Sequence, residues 1–334
     1  MQLTALRIYQ ASSGAAGHAV KASLESMPVA ALTAGDVLIR VQYSSINYKD
    51  ALAATGAGKI LRRYPLNGGI DLAGVVVEST DAKYTPGQAV LVTGCGLSET
   101  LDGGYAEYAR VPAAAVIPIP PRLDALAVMT LGTAGFTAAL AIHRMEQNGL
   151  EPSQGEVAVT GATGGVGSIA IDMLSAHGYR ICAITGKESE RSYLQQLGAQ
   201  HVALRSELQL GQGALESTRF AGGIDNLGGE WLSWLLRSTQ LQGSVASIGM
   251  AADSQLHMSV MPFILRGVNL LGITSSNTPR ALREQVWQRI ATDLKPRHLD
   301  LIRSRIVELA DLPTVFADYL TGGVRGRTVV RIQP

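Results

Sequence analysis

A glycine-rich segment in the middle of the chain has the residue types needed to hold a dinucleotide. The apolar run 156–160 leads into a turn containing Thr163, Gly164 and Gly165, and a helical pattern starts at Val166. Such a turn lets the backbone approach a pyrophosphate, and the free N–H groups at the start of the helix can bind it. We therefore predict that residues 163–166 contact the phosphates of a dinucleotide.

The spacing of this segment departs in one position from the usual G-x-G-x-x-G pattern. The three glycine positions fall on Ala162, Gly164 and Gly167, and Ala is small enough for a tight turn. The alternative is an ordinary loop. The position of the segment between a strand and a helix, within repeated strand–helix alternation, favours the dinucleotide interpretation.

The end of the next predicted strand decides which dinucleotide is preferred. NAD-binding proteins commonly have an acidic residue there, about 20 residues beyond the glycine loop, which binds the ribose 2′-hydroxyl. Here the strand 180–185 ends in Thr185 and is followed by Gly186 and Lys187. Glu188 comes one residue later, and we interpret it as a helix-start residue.

Cations replace the missing acid. Lys187, together with Arg191 or Arg205, could face a 2′-phosphate, and the alternative is that these are ordinary surface cations. We predict NADP(H) as the cofactor, with Thr185, Gly186, Lys187 and Arg205 in its site.

Two kinds of element surround these residues. In the second half of the chain, strands alternate with helices, which predicts an α/β fold with a doubly wound parallel sheet. The predicted strands are 156–160, 180–185, 223–226, 243–248 and 269–273, and the predicted helices are 132–145, 166–177, 191–197 and 231–238.

The first 120 residues are predicted to be closely spaced strands (36–43, 73–78, 88–92 and 103–111), which indicates a β-rich or barrel-like unit. The proline-rich cluster Pro118–Pro121 marks the change from closely spaced strands to alternating strands and helices. The C-terminal tail resembles the first region. We predict two domains: residues 1–121 with 298–334, and residues 122–297 inserted between them.

Composition excludes several classes of protein. The chain has 334 residues, 46% of them hydrophobic and 16% charged, which predicts two well-packed domains rather than disorder. Lys and Arg total 28 against 27 Asp and Glu, so no general attraction to nucleic acid or anionic membrane is expected. Cys95 and Cys182 are too few for a disulfide scaffold. No signal pattern and no apolar run of ~18 residues is expected, so we predict a soluble, cytoplasmic protein.

Several motifs, covering essentially the whole chain, resemble the medium-chain dehydrogenase/reductase superfamily. They are Ser44–Asp50, Gly69–Gly74, Gly132–Ala138, Val260–Arg266 and Gly326–Thr328. Within the superfamily they resemble the zinc-independent, quinone-oxidoreductase-like branch and its acryloyl-CoA reductase (AcuI/YhdH) group. The resemblance implies a GroES-like β-rich catalytic domain plus a Rossmann domain, and a cofactor site that also includes Tyr48, Leu227, Ile248 and Ser275.

The resemblance also addresses metal binding. Zinc alcohol dehydrogenases of this superfamily hold a catalytic zinc with Cys and His at three matching positions. This chain has Asn47 and Ile70 at two of them and no cysteine near Thr133. Because a catalytic zinc needs about three N, S or O ligands from the protein, we predict no metal.

Reduction of an activated C=C bond makes smaller demands on the protein than alcohol oxidation. Hydride from the nicotinamide goes to the β-carbon, the carbonyl develops enolate character, and a proton arrives at the α-carbon. The protein must align the reactants and donate hydrogen bonds to the enolate oxygen. By resemblance to the family's cleft-lining segment, Tyr48 is expected to position the nicotinamide or the substrate carbonyl, or to donate the proton. Asn47 is expected to donate through its amide.

Each of these residues also has a structural alternative. Tyr48 and Asn47 could serve only the fold, and we expect the buried carboxylate of Asp71 to pair with a nearby cation such as Lys49.

The leading functional hypothesis is NADPH-dependent reduction of acryloyl-CoA, or of a similar short 2-enoyl-CoA, to propanoyl-CoA. The alternatives are a general NADPH:quinone or enone oxidoreductase and a weakly catalytic NADPH-binding sensor protein. A CoA thioester carries a 3′-phosphate and a pyrophosphate, which the basic residues Lys59, Arg62 and Arg63 could meet. The alternative is a solvated basic surface.

The resemblance further implies a homodimer. Family members commonly pair through the last strand of the nucleotide-binding sheet, here Val268–Ile273, whose apolar edge would otherwise be exposed.

Overall fold

The computed structural model describes residues 1–11 and 20–332. Residues 12–19 and 333–334, which belong to the first predicted domain, lie outside the described residues. The chain divides into two compact units, one made of Met1–Thr133, Ser276–Gln285 and Leu299–Pro334, the other of Ala134–Ser275 and Val286–His298. We keep the predicted domain limits, 1–121 with 298–334 and 122–297, as a proposal.

The strands of the described chain are numbered in chain order. They are β1 Gln2–Gln10, β2 Val20–Pro28, β3 Val37–Ser45, β4 Leu66–Asn67, β5 Asp71–Ser79, β6 Ala89–Thr93, β7 Tyr108–Val111, β8 Ile117–Pro118, β9 Glu156–Thr160, β10 Arg180–Thr185, β11 His201–Leu204, β12 Phe220–Asp225, β13 Thr239–Ser247, β14 Asn269–Gly272, β15 Arg303–Glu308 and β16 Arg327–Arg331.

The helices are numbered in the same way. They are α1 Tyr48–Thr55, α2 Ala125–Gln147, α3 Gly165–Ala176, α4 Arg191–Gln196, α5 Gly229–Ser238, α6 Met261–Arg266, α7 Arg280–Ala291, α8 Leu299–Ile302 and α9 Leu312–Leu320.

The first unit consists mainly of antiparallel sheet. A seven-stranded sheet has the order β15-β16-β3-β5-β6-β8, with β7 pairing to β3, and a smaller sheet has the order β2-β1-β4. Val37, Ile39 and Val41 alternate along β3 and are fully buried in one hydrophobic cluster, as expected when successive side chains of a strand point to opposite faces. Because β3 is central, the residues that follow its end at Ser45 are held by a well-packed support.

The second unit is a parallel sheet with helices, as predicted. The strand order is β11-β10-β9-β12-β13-β14, and all five pairs are parallel. The chain leaves β9 toward β10 on one side and returns to β12 on the other. This reversal of direction is the topological switch point at which open α/β sheets bind ligands, outside the carboxyl ends of the strands.

Helix α2 differs from the prediction in two respects. It begins at Ala125 rather than at residue 132, and its backbone is broken at Gly132, where φ is 52°. The expectation that no apolar run approaches ~18 residues is wrong here, because residues 125–142 contain no charge. By length and composition α2 could cross a membrane, but 78% of its most apolar window is buried within the protein, as in the core helix of a globular protein.

Five strands of the described chain were not predicted, namely β1, β2, β4, β8 and β11. β2 has a polar sequence and few buried positions, so hydrophobic periodicity gives little signal there. The predicted strand 103–111 is shorter in the structure and starts at Tyr108, because the N–H groups of residues 103–105 donate to the carbonyls of residues 67–69 instead of entering the sheet.

Candidate functional site

A buried carboxylate, Asp71, is the centre of a polar cluster in the first unit. Its Oδ2 accepts hydrogen bonds from Ser45 Oγ at 2.6 Å, from Asn47 Nδ2 at 2.8 Å and from the Thr133 backbone N–H at 3.0 Å. Its Oδ1 accepts from Thr133 Oγ1 at 2.6 Å. Asp71 is fully buried, so these four donors provide the compensation that a buried charge requires.

The cation of this cluster is Arg327 at the start of β16, not Lys49. Arg327 is 2% exposed, and its Nη2 lies 3.9 Å from Asp71 Oδ2 and donates to Ser45 Oγ at 2.7 Å. Its other N–H groups reach the carbonyls of Thr130 and Ile46. The predicted Asp71–Lys49 pair is therefore wrong, and Lys49 forms its ion pair with Glu99.

Asn47 is held from three sides. Its Nδ2 donates to Asp71 and, at 3.1 Å, to Asp50 Oδ2, while its Oδ1 accepts from Arg327 Nη1 at 3.1 Å. Both amide hydrogens are thus directed at carboxylates of the protein. The expectation that Asn47 donates to a substrate does not fit this geometry, and its amide instead links the Asp71–Arg327 pair to the start of α1.

Tyr48 is the first residue of α1 and differs from its neighbours. The residue is 49% exposed, and no hydrogen bond to its hydroxyl occurs among residues 1–11 and 20–332. Asn47, Lys49 and Asp50 are all engaged within the protein. Of these four consecutive residues, Tyr48 therefore presents the accessible donor.

Asp50 is a second buried carboxylate in the same cluster. It accepts from the backbone N–H groups of Asn47 at 2.8 Å and Ile70 at 2.9 Å. Burial, with a contribution from the negative charge of Asp71, raises the pKa of Asp50 to about 7. The α1 end of the cluster therefore contains a carboxyl that titrates near neutral pH.

The break in α2 brings the backbone onto this cluster. A side chain at Gly132 would place its Cβ 2.6 Å from both Asp71 Oδ2 and Ser45 Oγ and 2.8 Å from Arg327 Nη2. The positive φ of Gly132 also suits glycine. Only a glycine here lets the following N–H, that of Thr133, reach Asp71.

Neither of the two positions that the family resemblance matched to zinc ligands, Asn47 and Ile70, has a Cys or His side chain. Asn47 is part of the hydrogen-bonded cluster around Asp71, and Ile70 is a buried apolar residue. Within the described part of the chain, no group of three or more His, Cys, Asp or Glu side chains is placed to hold a metal ion.

The predicted CoA-binding arginines lie on the surface of the first unit. The Arg62 side chain is 75% exposed, with its guanidinium 4.0 Å from Glu99 Oε2, and Arg63 and Lys59 are also exposed. Glu99 also pairs with Lys49, so one acid partly offsets the positive charge of this surface.

In the second unit, the glycine loop has the geometry of a phosphate cradle. β9 ends at Thr160, Gly164 precedes α3 as its N-cap residue, and Gly165 and Val166 form the first turn. A Cβ on Gly167 would lie 2.5 Å from the carbonyl oxygen of Gly161, so the loop and helix can approach this closely only with glycine there. The free N–H groups of the first turn fit a pyrophosphate, and Thr163, which precedes Gly164, is 7% exposed.

A buried hydrogen-bond network joins the ends of β9 and β12 beside this loop. Thr160 Oγ1 donates to Asp225 Oδ1 at 2.7 Å, and Asn226 Nδ2 donates to the Thr160 carbonyl at 2.7 Å. Asp225 Oδ2 accepts from the Gly228 N–H at 2.7 Å. Burial raises the pKa of Asp225. The network fixes the two strand ends between which the switch point lies.

The end of β10 is the place at which the sequence predicts a 2′-phosphate site. Thr185 Oγ1 accepts from the Lys187 N–H, and the Arg205 N–H donates to the Thr185 carbonyl at 2.8 Å. This places Arg205, which follows β11, beside Gly186. Arg191, the alternative cation, instead donates to the Val202 carbonyl at 2.8 Å.

The other predicted cofactor residues follow strands of the same parallel sheet. Leu227 comes after β12, Ile248 directly after β13, and Ser275 shortly after β14. The Ile248 N–H donates to the Asp225 carbonyl at 2.9 Å. The structure thus brings the predicted residues of this unit to one edge of the sheet, and their contact with a cofactor stays a prediction.

Sequence reasoning missed the roles of Ser45, Asp50, Thr133 and Arg327. All four lie within or beside the motifs that carry the family resemblance, but Arg327 and Asp71 are 256 residues apart. In the sequence, an acid among apolar residues, as at Asp71, indicates that the fold must supply it with a cation or hydrogen-bond donors. The sequence does not show which residues these are.

Two family models match this chain. One, described as the alcohol dehydrogenase GroES-like domain, matches residues 33–121. The other, described as a zinc-binding dehydrogenase, matches residues 165–292.

Individual relatives match over most of their length. The acrylyl-CoA reductase AcuI of Ruegeria pomeroyi is 42% identical over 93% of this chain and 94% of its own. YhfP of Bacillus subtilis, which has a provisional quinone oxidoreductase name, is 46% identical over 89% of this chain and 90% of its own. The crystal structure of the yhdH oxidoreductase from Salmonella enterica in complex with NADP has a TM-score of 0.94 and 41% identity, and each chain covers the other completely.

A GroES-like β-rich unit and a Rossmann-like parallel sheet with a glycine loop define a dehydrogenase/reductase fold. This chain belongs to the medium-chain dehydrogenase/reductase superfamily, in its zinc-independent, quinone-oxidoreductase-like branch with the AcuI and YhdH proteins, and it is an oxidoreductase. The predicted family, fold class and enzymatic nature are confirmed.

Proposed function

We propose that this protein reduces the C=C bond of acryloyl-CoA, or of a similar short 2-enoyl-CoA, to the saturated thioester with NADPH. The observation that carries the proposal is the carboxyl edge of the parallel sheet, where a glycine loop and the cations following β10 and β11 meet without an acid at the 2′ position. The substrate class is supported by the 42% identity to the acrylyl-CoA reductase AcuI.

The residues present fit NADP(H). The loop 163–166 offers backbone N–H groups for the pyrophosphate, and Lys187 and Arg205 are the cations that we assign to the 2′-phosphate. Glu188 is exposed and begins a short 3-10 turn after the strand end. The cofactor, when bound, supplies the hydride, and a yhdH structure bound to NADP supports the same choice here.

On the protein side, we assign Tyr48 the role of hydrogen-bond donor to the substrate carbonyl or to the nicotinamide. Its exposure and its position at the start of α1 leave the hydroxyl accessible. A donor aimed at a developing enolate oxygen acts where charge accumulates in the transition state. Asn47 acts indirectly. The hydrogen bonds of its side-chain amide fix the backbone just before Tyr48 to the buried Asp71–Arg327 pair.

We assign Arg62 and Arg63 to the phosphates of CoA. Their guanidinium groups are exposed and can form paired hydrogen bonds with phosphate oxygens. Replacing both with Ala is expected to raise the KM for acryloyl-CoA while leaving the KM for NADPH unchanged. An unchanged KM for the thioester would remove them from the site.

The proposal is tested by following NADPH oxidation with enoyl-CoA thioesters of increasing chain length, simple enones and quinones. A strong preference in kcat/KM for acryloyl-CoA or another short thioester is expected. The alternative, a general quinone or enone oxidoreductase, has support from the 46% identity to YhfP. It predicts that quinones are reduced at rates comparable to those of the thioesters. Tight NADPH binding without turnover of any acceptor would indicate the sensor protein.

A further inference from the structure

The cation at the 2′-phosphate position has an aromatic support on a different element. The Cζ of Arg205 lies 5.9 Å from the ring centroid of Trp231 and over the ring. Trp231 is in the first turn of α5. Its own ring packs edge-on against Trp234, with centroids 6.3 Å apart, and Trp234 is buried in the core of this unit. The support is therefore anchored rather than free to turn away.

The guanidinium of Arg205 also lies close to Gly186. A Cβ on Gly186 would lie 2.5 Å from Arg205 Nη2, 2.9 Å from Nε and 3.1 Å from Cζ. Three guanidinium atoms thus occupy the space that any other side chain at this position would fill. The φ of Gly186 is outside the left-handed region, so the close approach of Arg205, rather than backbone strain, is what favours glycine here.

Arg205 itself is exposed. A long exposed side chain normally samples many rotamers, and ordering one on ligand binding costs conformational entropy. A cation over an aromatic face is stabilised in that position. The contact with Trp231 and the close approach to Gly186 therefore restrict Arg205 before a ligand arrives.

We propose that Trp231 is a positioning residue for cofactor specificity: it holds Arg205 across Gly186 so that the guanidinium faces the 2′-phosphate that distinguishes NADP(H) from NAD(H). This inference rests on the proposed use of NADPH. Trp231 acts only through Arg205, so its contribution applies to the phosphorylated cofactor and not to the parts that the two dinucleotides share.

The chain contains a matched control pair. Arg219 lies over Trp234 at the same distance, 5.9 Å. Arg219 precedes β12, at the amino edge of the parallel sheet, whereas Arg205 follows β11 at the carboxyl edge. The control arginine therefore makes the same kind of contact away from the cofactor edge.

The test is calorimetric titration of NADP⁺ and NAD⁺ into the full-length protein and its variants. Trp231→Leu is expected to weaken NADP⁺ binding by about two- to fivefold and to leave NAD⁺ binding unchanged. Trp231→Phe retains an aromatic face and is expected to restore most of the affinity. Arg205→Ala is expected to weaken NADP⁺ binding tenfold or more, about the effect of losing a charged hydrogen bond. Arg219→Ala is expected to change neither.

A double variant tests the coupling directly. In the Arg205→Ala background, Trp231→Leu is expected to cause no further loss, because the two residues act as one unit. Gly186→Ala, whose Cβ would lie 2.5 Å from Arg205 Nη2, is expected to weaken NADP⁺ binding more than NAD⁺ binding.

Three results would overturn the inference. They are equal weakening of NADP⁺ and NAD⁺ by Trp231→Leu, no effect of that variant on NADP⁺, and additive losses in the double variant. If the unaltered protein does not distinguish NADP⁺ from NAD⁺, the proposed cofactor choice fails as well. If the unaltered protein prefers NADP⁺ and the Trp231→Leu variant keeps the same preference, only the role of Trp231 fails.

Discussion

The four consecutive residues Asn47 to Asp50, at the start of α1, have different roles. Asn47 and Asp50 are tied into a buried network with Asp71 and Arg327, and Lys49 is paired with Glu99. Tyr48 remains accessible and is 49% exposed. The buried residues fix the backbone, and the exposed hydroxyl can then meet a ligand in a defined position, as preorganised catalysis requires.

Tyr48→Phe is the direct test of the role assigned to the Tyr48 hydroxyl. If the hydroxyl donates to the developing enolate, kcat for acryloyl-CoA reduction is expected to fall on the order of 10²-fold, with the free energy of unfolding unchanged because the hydroxyl has no partner within the described chain. Steady-state kinetics and denaturant unfolding measure the two quantities. Unchanged turnover together with unchanged NADPH affinity would remove Tyr48 from the scheme.

The raised pKa of Asp50 gives stability a specific dependence on pH. Its pKa is about 7 in the folded protein and about 3.9 when unfolded, so between these values the folded state binds more protons. Unfolding then releases the proton of Asp50, so the contribution of this residue to stability falls as pH rises from about 4 to 7. This fall is up to about 4 kcal/mol.

Asp50→Asn removes this titration. The variant's free energy of unfolding, measured with denaturant between pH 5 and 8, is expected to fall less with rising pH than that of the unaltered protein. Glu207→Gln, at an exposed position, is expected to keep the original slope. Equal slopes for the Asp50 variant and the unaltered protein would show that this carboxyl titrates normally.

At the scale of elements, the break in α2 connects packing to the site. The sequence predicts a helix over residues 132–145, but α2 begins at Ala125, and its backbone turns at Gly132 and directs the Thr133 N–H to Asp71. The helix gives up regular geometry at one residue, and the buried carboxylate gains a donor that it needs.

Gly132→Ala is expected to destabilise the protein by at least about 3 kcal/mol, because the new Cβ would collide with Asp71, Ser45 and Arg327 in a buried polar network. Gly149→Ala is the matched control: Gly149 also has positive φ, at 88°, but a Cβ there would meet no atom within 4 Å. Its expected cost is about 1 kcal/mol. Thermal or denaturant unfolding of both variants measures the difference, and equal losses would mean that backbone strain alone explains Gly132.

The elements also differ in how well the sequence predicts them. The strands of the parallel sheet were predictable because they are short apolar runs that alternate with helices, and the glycine loop marks the first of them. β2 was not, because its polar sequence lacks the pattern. The Asp71–Arg327 pair was not predictable because the sequence shows a buried acid and several candidate cations, and only the pairing of β16 with β3 selects Arg327 over Lys49.

For the molecule as a whole, the free edge of the parallel sheet suggests a partner. β14 pairs with β13 on one side, and in the described chain no other strand pairs with it. Leu270 on this strand is 37% exposed, and Ile264 and Leu265 on the neighbouring α6 are 74% and 57% exposed. An exposed apolar edge strand is a template for pairing, which is consistent with the predicted homodimer.

The homodimer prediction is checked by sedimentation velocity. The unaltered protein is expected to sediment at twice the mass of the chain, and Leu270→Glu is expected to shift it toward the monomer because two like charges would be brought together at a paired edge. Leu320→Glu, at an equally exposed position on α9, is expected to leave the mass unchanged. A monomeric unaltered protein would contradict the prediction.

The most direct measurement follows one deuterium atom. Acryloyl-CoA is incubated with the enzyme and NADPH carrying deuterium at the transferable C4 position, and the product is analysed by mass spectrometry and NMR. Direct hydride transfer to the alkene predicts propanoyl-CoA with a single deuterium on its β-carbon. Unconsumed acryloyl-CoA, or propanoyl-CoA without the label at that carbon, would contradict the proposed reaction.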